Sequence, residues 1–320
     1  MKKMMAVLLS LILLASLFLT AAAAEEKEIS VVATIFPIYD WVREVAGDNS
    51  SVKLTMLVNN GVDLHSYQPT AADMMKVATC DVFIYVGGKS DEWVEDALKE
   101  AVNKDMIVLN LVEVIGEEIK IEETVEGMEH EHNEQGDHEH EEEVDEHVWL
   151  SLRNAQKLVG AITGVLTQAD PDHGEIYAAN ASAYAEKLSA LDQKYDEATK
   201  DAAYRTILFG DRFPFRYLVD DYKLSYYAAF PGCSAETEAS FQTIVFLAQK
   251  VDELGLPAVL TIEGANHKIA ETVIEATSAK NQKVLTLNSM QGTTLADAQA
   301  GVTYLSIMED NLDVLKQAIN

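Results

Sequence analysis

The architecture of this chain is best inferred from residues 171–200, PDHGEIYAANASAYAEKLSALDQKYDEATK. Large apolar side chains recur along it at spacings of seven, four, three and four residues: Tyr177, Tyr184, Leu188, Leu191 and Tyr195. These spacings place the side chains in one stripe on a helix. At about 1.5 Å per residue, such a helix is roughly 40 Å long. We therefore predict a single helix that runs across a two-lobed molecule and joins the lobes.

On both sides of this helix, apolar strand-like runs alternate with amphipathic runs. Strands are expected at 29–35, 52–58, 81–86, 106–111, 204–209, 258–262 and 284–287. Helices are expected between them, including 241–254, 268–277 and a closing helix at 301–319. Such alternation is typical of parallel sheets covered by helices. We predict an α/β protein with two similar lobes of mainly parallel sheet flanked by helices: an N-terminal lobe at 25–170, the linker helix at 171–200 and a C-terminal lobe at 201–320.

Length and composition agree with a folded protein of two domains. The chain has 320 residues, of which 48% are hydrophobic and 24% charged, and this composition is that of a globular protein. The formal net charge is -29. Because nucleic-acid binding depends on cationic side chains that neutralise phosphates, this charge excludes DNA and RNA as partners.

The first 24 residues have the composition of a secretory signal peptide. Lys2 and Lys3 precede an almost wholly apolar run at 6–19, and four alanines at 21–24 precede Glu25. The apolar run is shorter than the roughly 20 residues that a membrane span needs. We expect export with cleavage near Ala24, to the periplasm or the cell surface. The first cysteine is Cys80, so we expect no lipid-anchoring cysteine at the cleavage point.

An acidic, histidine-rich segment interrupts the N-terminal lobe at 117–146. It has too few large apolar side chains to build a core. Its histidines form two His-x-His pairs among carboxylates: His130, His132, His138 and His140. We predict a loop that gathers metal ions weakly and passes them inward. The alternative is a solvated acidic loop without a metal-binding role, because histidine-rich tracts have no fixed geometry.

Two further histidines stand where the chain enters or leaves regular structure. His65 lies in a turn-rich segment after the strand that ends at Val58, and ligands of parallel sheets bind at such strand ends. His147 follows Asp145 and Glu146 and precedes an apolar run. A lone loop histidine is more often a surface residue, but two at such positions suggest a shared metal site.

These segments resemble the solute-binding proteins of bacterial zinc and manganese ABC transporters. His65-Ser66-Tyr67-Gln68-Pro69 is similar to the first ligand motif of that family, and Asp145-Glu146-His147-Val148-Trp149-Leu150 is similar to the second. The preceding acidic loop resembles that of zinc-type members. The resemblance implies two α/β lobes joined by a rigid helix, with a metal ion held between them. It also implies His65 and His147 as ligands and an ABC permease as the partner.

The second half of the chain departs from the family at the two remaining ligand positions. Members place a histidine or a glutamate before a tyrosine that opens the first helix of the second lobe, whereas this chain has Asp211-Arg212 before Tyr217. We favour Asp211 as the third ligand, since only the carboxylate can bind a cation. The alternative is an ion pair of Asp211 with Arg212 or Arg216. The fourth position falls near Asn288, and further candidates are Glu236, Glu238 and Glu263.

The expected ligand set bears on the choice of metal. Imidazole suits zinc and carboxylate oxygen suits manganese, so the histidine-rich loop favours Zn²⁺, with Mn²⁺ possible. Two cysteines, Cys80 and Cys233, cannot form a cysteine cluster, and we expect nitrogen and oxygen ligands only. A buried free thiol is expected at Cys80, the alternative being a disulfide between the lobes.

No stretch of the sequence carries an enzyme signature such as His-Glu-x-x-His or Gly-x-Ser-x-Gly. We therefore predict a non-enzymatic, monomeric binding protein that captures extracytoplasmic zinc between two lobes and delivers it to an ABC permease. The alternatives are a manganese-binding protein of the same class and a secreted metal scavenger or adhesin. A secreted metallohydrolase is a more distant alternative.

Overall fold

The computed structural model describes residues 28–59, 61–128, 143–234, 238–264 and 266–320. The predicted signal peptide, Glu236 and the four loop histidines lie outside the described residues: His130, His132, His138 and His140. The predictions for these residues therefore stay predictions.

A parallel four-stranded sheet forms the centre of the N-terminal lobe. Its strands are β1 (Ile29–Ala33), β2 (Val52–Met56), β3 (Val82–Tyr85) and β4 (Ile107–Asn110), in the spatial order β2-β1-β3-β4. Its helices are α1 (Phe36–Ala46), α2 (Ala71–Thr79), α3 (Trp93–Lys99), α4 (Leu111–Ile115) and α5 (Leu152–Ala169). Buried apolar residues fill β1 and β3, as expected of strands covered by helices.

The C-terminal lobe repeats this topology. Its strands are β5 (Thr206–Phe213), β6 (Ser225–Pro231), β7 (Ala258–Ile262) and β8 (Lys283–Leu287), in the order β6-β5-β7-β8 and all parallel. Its helices are α7 (Arg216–Asp221), α8 (Phe241–Leu254), α9 (Lys268–Ala276), α10 (Leu295–Gln299) and α11 (Tyr304–Ile319). The predicted α/β architecture of two similar lobes is confirmed.

The linker is the 27-residue helix α6, Gly174–Lys200. Its predicted apolar stripe is buried along the whole length: Tyr177, Tyr184, Leu188, Leu191 and Tyr195. The helix begins three residues later than predicted, because Pro171–His173 form a 3₁₀ turn before it. Asn180 donates to the Val45 carbonyl of the N-terminal lobe, and Tyr195 donates to the Met308 carbonyl of the C-terminal lobe. The helix is therefore fixed to both lobes.

A continuous apolar core joins the two lobes, and it extends from β1 through α6 to α11. Polar contacts cross the same interface. The Trp149 indole donates to the Ser289 carbonyl at 2.9 Å, and the Tyr304 hydroxyl donates to the Trp149 carbonyl at 2.7 Å. Because close-packed cores deform little, this interface restricts the lobes to small relative movements.

Two elements differ from the sequence-based expectation. Strand β6 was not predicted, although it lies next to β5 in the second sheet. The closing helix predicted at 301–319 begins only at Tyr304, because Gly301 adopts a φ of +98° and Thr303 caps the new helix. Over the described residues, no helix combines the length and the apolar character needed to span a bilayer.

Candidate functional site

Loops from the carboxyl ends of strands in both sheets meet in the cleft between the lobes. The N-terminal lobe contributes His65 after β2 and Ser90 after β3. The C-terminal lobe contributes Arg212 near the end of β5, Cys233 after β6 and Gln291 after β8. Carboxyl ends of parallel strands are where open α/β sheets bind ligands. The duplicated topology therefore directs two sets of such loops at one place.

His65 lies in a 3₁₀ turn, Leu64–Ser66, which Asp63 caps by accepting a hydrogen bond from the His65 backbone N–H at 2.9 Å. The Nδ1 atom of the His65 ring lies 2.7 Å from the Ser90 hydroxyl. This contact fixes the ring from behind. It leaves Nε2 directed into the cleft, where it is free to bind a cation.

His147 is fully buried, with 0% of its surface exposed. One oxygen of Asp145 lies 2.9 Å from both the backbone nitrogen and the Nδ1 atom of His147. The Tyr217 hydroxyl of the C-terminal lobe donates to the Asp145 carbonyl at 2.9 Å. A carboxylate behind a histidine fixes the ring and makes its outward nitrogen more basic, as is usual for metal-binding histidines.

The two outward nitrogens, Nε2 of His65 and Nε2 of His147, lie 3.2 Å apart. Zinc holds imidazole nitrogens at about 2.0 Å in a tetrahedron, which puts two such nitrogens roughly 3.3 Å from each other. The observed separation therefore fits two corners of a tetrahedral site. Both rings carry the rear hydrogen bond that such ligands need.

The two rings of the pair differ in their electrostatics. Burial and the neighbouring His147 lower the pKa of His65 to about 3. Burial also acts to lower the pKa of His147, but the Asp145 carboxylate outweighs it and raises that pKa. Of the two rings, His147 is therefore the one that holds a proton more readily, and His65 is the one that favours the neutral form.

Glu146 lies behind His65. One carboxylate oxygen accepts from the Ser90 backbone N–H at 2.7 Å, and the other lies 3.6 Å from Nδ1 of His65. Burial raises the pKa of Glu146. Gly88 makes room for this side chain, since a Cβ at Gly88 would lie 2.6 Å from Glu146.

Cys233 is the residue that sequence reasoning missed. One ring nitrogen of His65, one of His147 and the Cys233 sulfur lie within 4.8 Å of one another. Both cysteines are free, and burial together with the Glu122 carboxylate raises the pKa of the Cys233 thiol. A sulfur thus lies beside the two ring nitrogens among the described residues, a donor that the expectation of nitrogen and oxygen ligands did not include. In the sequence, the only indication of a loop at this position is the Pro231-Gly232 pair directly before Cys233.

Gln291 and an ion pair border the histidines. The Gln291 amide satisfies its hydrogen bonds when its nitrogen donates to the Asp63 carboxylate, at 2.7 and 2.9 Å, and its oxygen lies 3.1 Å from Nε2 of His147. Asp63 also pairs with Arg212 at 2.5 Å. Burial acts to raise the pKa of Asp63, but the charge and the hydrogen bond of Arg212 hold it below its usual value.

The structure does not bring Asp211 into the histidine cluster. Its carboxylate accepts from the backbone N–H groups of Arg212 at 2.8 Å and Ile262 at 3.2 Å. The alternative ion pairs of Asp211 are not formed either, because Arg212 pairs with Asp63 and Arg216 pairs with Glu123. A register shift in β5 between Phe209 and Arg212 accompanies this arrangement. The guanidinium of Arg212, rather than the carboxylate of Asp211, faces the N-terminal lobe.

The remaining candidates shape the loop that carries Gln291. The Asn288 side-chain oxygen accepts from the Met290 N–H at 2.7 Å. The Glu263 carboxylate accepts from the backbone and the hydroxyl of Ser289 at 2.6 and 2.8 Å, and from the Gly292 N–H at 3.2 Å. These contacts give both residues a structural role in the loop.

Known proteins with the same sequence pattern and fold are numerous. Zinc-binding lipoprotein AdcA of Streptococcus pneumoniae is 33% identical over 99% of this chain, and the chain spans 61% of that protein. High-affinity zinc uptake system protein ZnuA of Bacillus subtilis is 30% identical over 94% of this chain and 91% of its own length.

A solved structure agrees with these relatives. The crystal structure of the Zn(II)-bound ZnuA-like domain of Streptococcus pneumoniae AdcA has a TM-score of 0.71 and 29% identity, and the match covers 91% of this chain and 99% of that domain. The family model described as "Zinc-uptake complex component A periplasmic" matches residues 31–318. By fold and by sequence, the chain belongs to this ZnuA family.

Proposed function

We propose that this protein binds Zn²⁺ in the cleft between its lobes and delivers it to an ABC permease. The observation that carries the proposal is the pair of outward Nε2 atoms of His65 and His147, 3.2 Å apart. Each ring is held from behind, by Ser90 and by Asp145. A preorganised imidazole pair of this geometry suits zinc, which takes nitrogen ligands in a tetrahedral arrangement.

The comparisons support the same function. The two relatives are named for zinc binding and zinc uptake, and the solved domain is zinc-bound. The chain covers only 61% of AdcA, so the proposal rests on the part that the two proteins share. A net charge of -29 favours the approach of cations over anions.

We infer the location and the partner of this chain from its family. Its description places members in the periplasm as components of a zinc-uptake complex. We infer that this chain is exported, with residues 1–24 as its signal peptide, and acts as a monomer that docks on a permease. A binding protein of this kind needs no catalytic group, and we infer that it is not an enzyme.

The acidic segment is a second part of the proposal. Its described end at Glu143 lies four residues before His147 and pairs with Lys89 at 2.6 Å. An antiparallel bridge between Ile121 and Val144 fixes both ends of the segment beside the cleft. We infer that its histidines collect zinc weakly and raise the concentration of the ion near the site.

Calorimetric titration of the metal-free protein with Zn²⁺, and separately with Mn²⁺, tests the proposal. We expect one tight zinc site that His65→Ala and His147→Ala abolish. His173→Ala is the matched control, because His173 pairs with Asp170 outside the cleft. Tight binding that survives both cleft variants would refute the site, and a preference for Mn²⁺ would refute zinc as the cargo.

A variant lacking residues 129–142 separates the loop from the cleft in the same titration. We expect the weaker zinc sites to vanish while the tight site keeps its affinity. Loss of the tight site with the loop would mean that the loop itself supplies essential ligands. Unchanged titration curves would mean that the loop collects no zinc.

A further inference from the structure

We propose that the Cys233 sulfur is the third zinc ligand, so that the cleft binds its cargo through two imidazoles and one thiolate. The inference deepens the proposed function and rests on it. Before Tyr217, where the resemblance implies a histidine or a glutamate, this chain has Asp211-Arg212, and Asp211 was expected to supply the ligand. The geometry instead favours Cys233, in the turn after β6.

The distances favour sulfur as a donor. The sulfur and one ring nitrogen of each of His65 and His147 lie within 4.8 Å of one another. Tetrahedral zinc with Zn–S near 2.3 Å and Zn–N near 2.0 Å separates these atoms by roughly 3.6 Å. The sulfur therefore has to approach by about 1 Å, a movement that rotation of the cysteine side chain and a small closure of the lobes can supply.

The turn that carries Cys233 is held firmly against the site. Gly232 packs so closely on His147 that a Cβ there would lie 3.0 Å from the imidazole Cε1 and 2.9 Å from the Phe213 carbonyl. The Cys233 N–H donates to the Glu122 carboxylate at 2.9 Å. These contacts hold the turn that carries Cys233 beside the histidine pair.

The neighbouring oxygen donors are already engaged. The Asp63 carboxylate binds Arg212 and the Gln291 amide. Asp211 accepts from two backbone N–H groups and stands apart from the cluster. Because the imidazoles of His65 and His147 are neutral donors when they bind a metal ion, a third, anionic ligand would strengthen the binding of a dication there. Binding of zinc would displace the proton of the Cys233 thiol to solvent, and the resulting thiolate supplies a negative charge where the C-terminal lobe faces both histidines.

A thiolate changes what the cleft selects. Sulfur ligands favour zinc over manganese, which prefers oxygen. The ligand also belongs to the lobe opposite the two histidines, so a metal ion bound by all three residues links the lobes. We therefore expect Cys233 to contribute both to the choice of metal and to the retention of zinc.

The decisive experiment uses Co²⁺ as a spectroscopic probe in the Cys80→Ser variant, where Cys233 is the only thiol. Cys80 is a suitable position to remove, because it is buried and its thiol donates to the Val77 carbonyl at 3.3 Å. We expect a thiolate-to-cobalt charge-transfer absorption in the near ultraviolet, together with the visible bands of tetrahedral Co²⁺. Absence of the charge-transfer absorption at saturation would overturn the inference.

Zinc titration of Cys233→Ser completes the test, with Cys80→Ser as the matched control. Loss of the soft ligand is expected to weaken zinc binding about tenfold or more and to leave manganese binding nearly unchanged. If Cys233→Ser binds zinc like the parent while His65→Ala does not, the thiolate ligand is refuted and the proposed function stands. If neither substitution weakens zinc binding, the proposed function fails as well.

Discussion

The Asp63 carboxylate and the Arg212 guanidinium meet at 2.5 Å across the cleft, although they belong to different lobes. Each is linked to a part of the candidate site. Asp63 caps the turn of His65 at 2.9 Å, and Arg212 donates to the Ser234 carbonyl, next to Cys233, at 3.3 Å. The ion pair therefore connects the turn that carries a histidine ligand to the turn that carries the proposed thiolate.

Arg212→Gln is expected to destabilise the metal-free protein by about 1–3 kcal/mol, because it leaves Asp63 charged and poorly solvated. The two side chains are only 18% and 20% exposed. Asp63→Asn combined with Arg212→Gln should recover part of the loss, since the double variant removes both charges. Urea unfolding of Asp63→Asn, Arg212→Gln and the double variant measures the coupling.

Lys99→Gln is the control for a solvent-exposed pair, because Lys99 and Asp96 are 66% and 81% exposed. Exposed pairs contribute about 0–1 kcal/mol, so this change should be small. If Arg212→Gln costs no more than Lys99→Gln, the ion pair across the cleft does not stabilise the arrangement of the lobes.

Asp145→Asn is expected to weaken zinc binding about 10–100-fold, the usual effect of losing a carboxylate behind a metal-binding histidine. The amide removes the negative charge that lies 2.9 Å from Nδ1 of His147. This charge makes the Nε2 atom of His147 a better ligand for a metal ion. Calorimetric titration with zinc measures the change. Asp172→Asn, an exposed residue in the turn before α6, should leave zinc affinity at the parent value. Equal affinities of the two variants would contradict the supporting role of Asp145.

Gly88→Ala is expected to disturb the site more than Gly116→Ala does. Both glycines have positive φ, +83° and +59°, so both substitutions strain the backbone. Only at Gly88 would the new Cβ lie 2.6 Å from the buried Glu146, whereas at Gly116 nothing lies within 4 Å. Displacement of Glu146 moves the support of His65, so zinc affinity should fall in Gly88→Ala alone. Thermal unfolding and zinc titration of both variants check this, and matching results for the two would rule out a steric role of Glu146.

The elements with the strongest hydrophobic patterns could be predicted from sequence. Helix α8 and strand β7 have the expected bounds, and the stripe of α6 is buried as predicted. Strand β6 escaped prediction because Ser225–Pro231 lacks a clear alternation of apolar and polar residues. Its location beside β5 is a long-range contact, on which a local pattern has little influence.

A local sequence motif marks each of the two histidines, but no such motif marks the C-terminal side of the site. His65 and His147 lie within recognisable motifs, whereas Cys233 comes after the unpredicted β6. The orientation of Asp211 depends on the irregular register of β5, which turns its carboxylate toward Ile262. Proximity of sulfur to the imidazoles results from packing of Gly232 on His147, a contact between residues 85 positions apart in the sequence.

Asp40 predicts a pH dependence of stability that is unrelated to metal binding. The carboxylate is fully buried in α1, where it pairs with Arg43 and accepts from the Tyr304 N–H of the other lobe at 2.7 Å. Burial outweighs these partners and raises the pKa of Asp40 from 3.8 to about 6. Between these values the folded state holds a proton that the unfolded state has released, so stability falls as the pH rises.

Asp40→Asn should therefore flatten the pH dependence of the free energy of unfolding. The stability from the Asp40 proton is fully present below pH 3.8 and is lost as the pH rises through about 6. At about 1.4 kcal/mol for each unit of pKa difference, this contribution amounts to at most about 3 kcal/mol. The neutral amide keeps an oxygen that can accept from the Tyr304 N–H, so it resembles the protonated acid at every pH.

Urea unfolding of the metal-free protein at several pH values measures the difference, with the exposed Asp48→Asn as control. Parallel curves for parent and Asp40→Asn across this window would show that Asp40 ionises in the folded protein as it does in the unfolded chain.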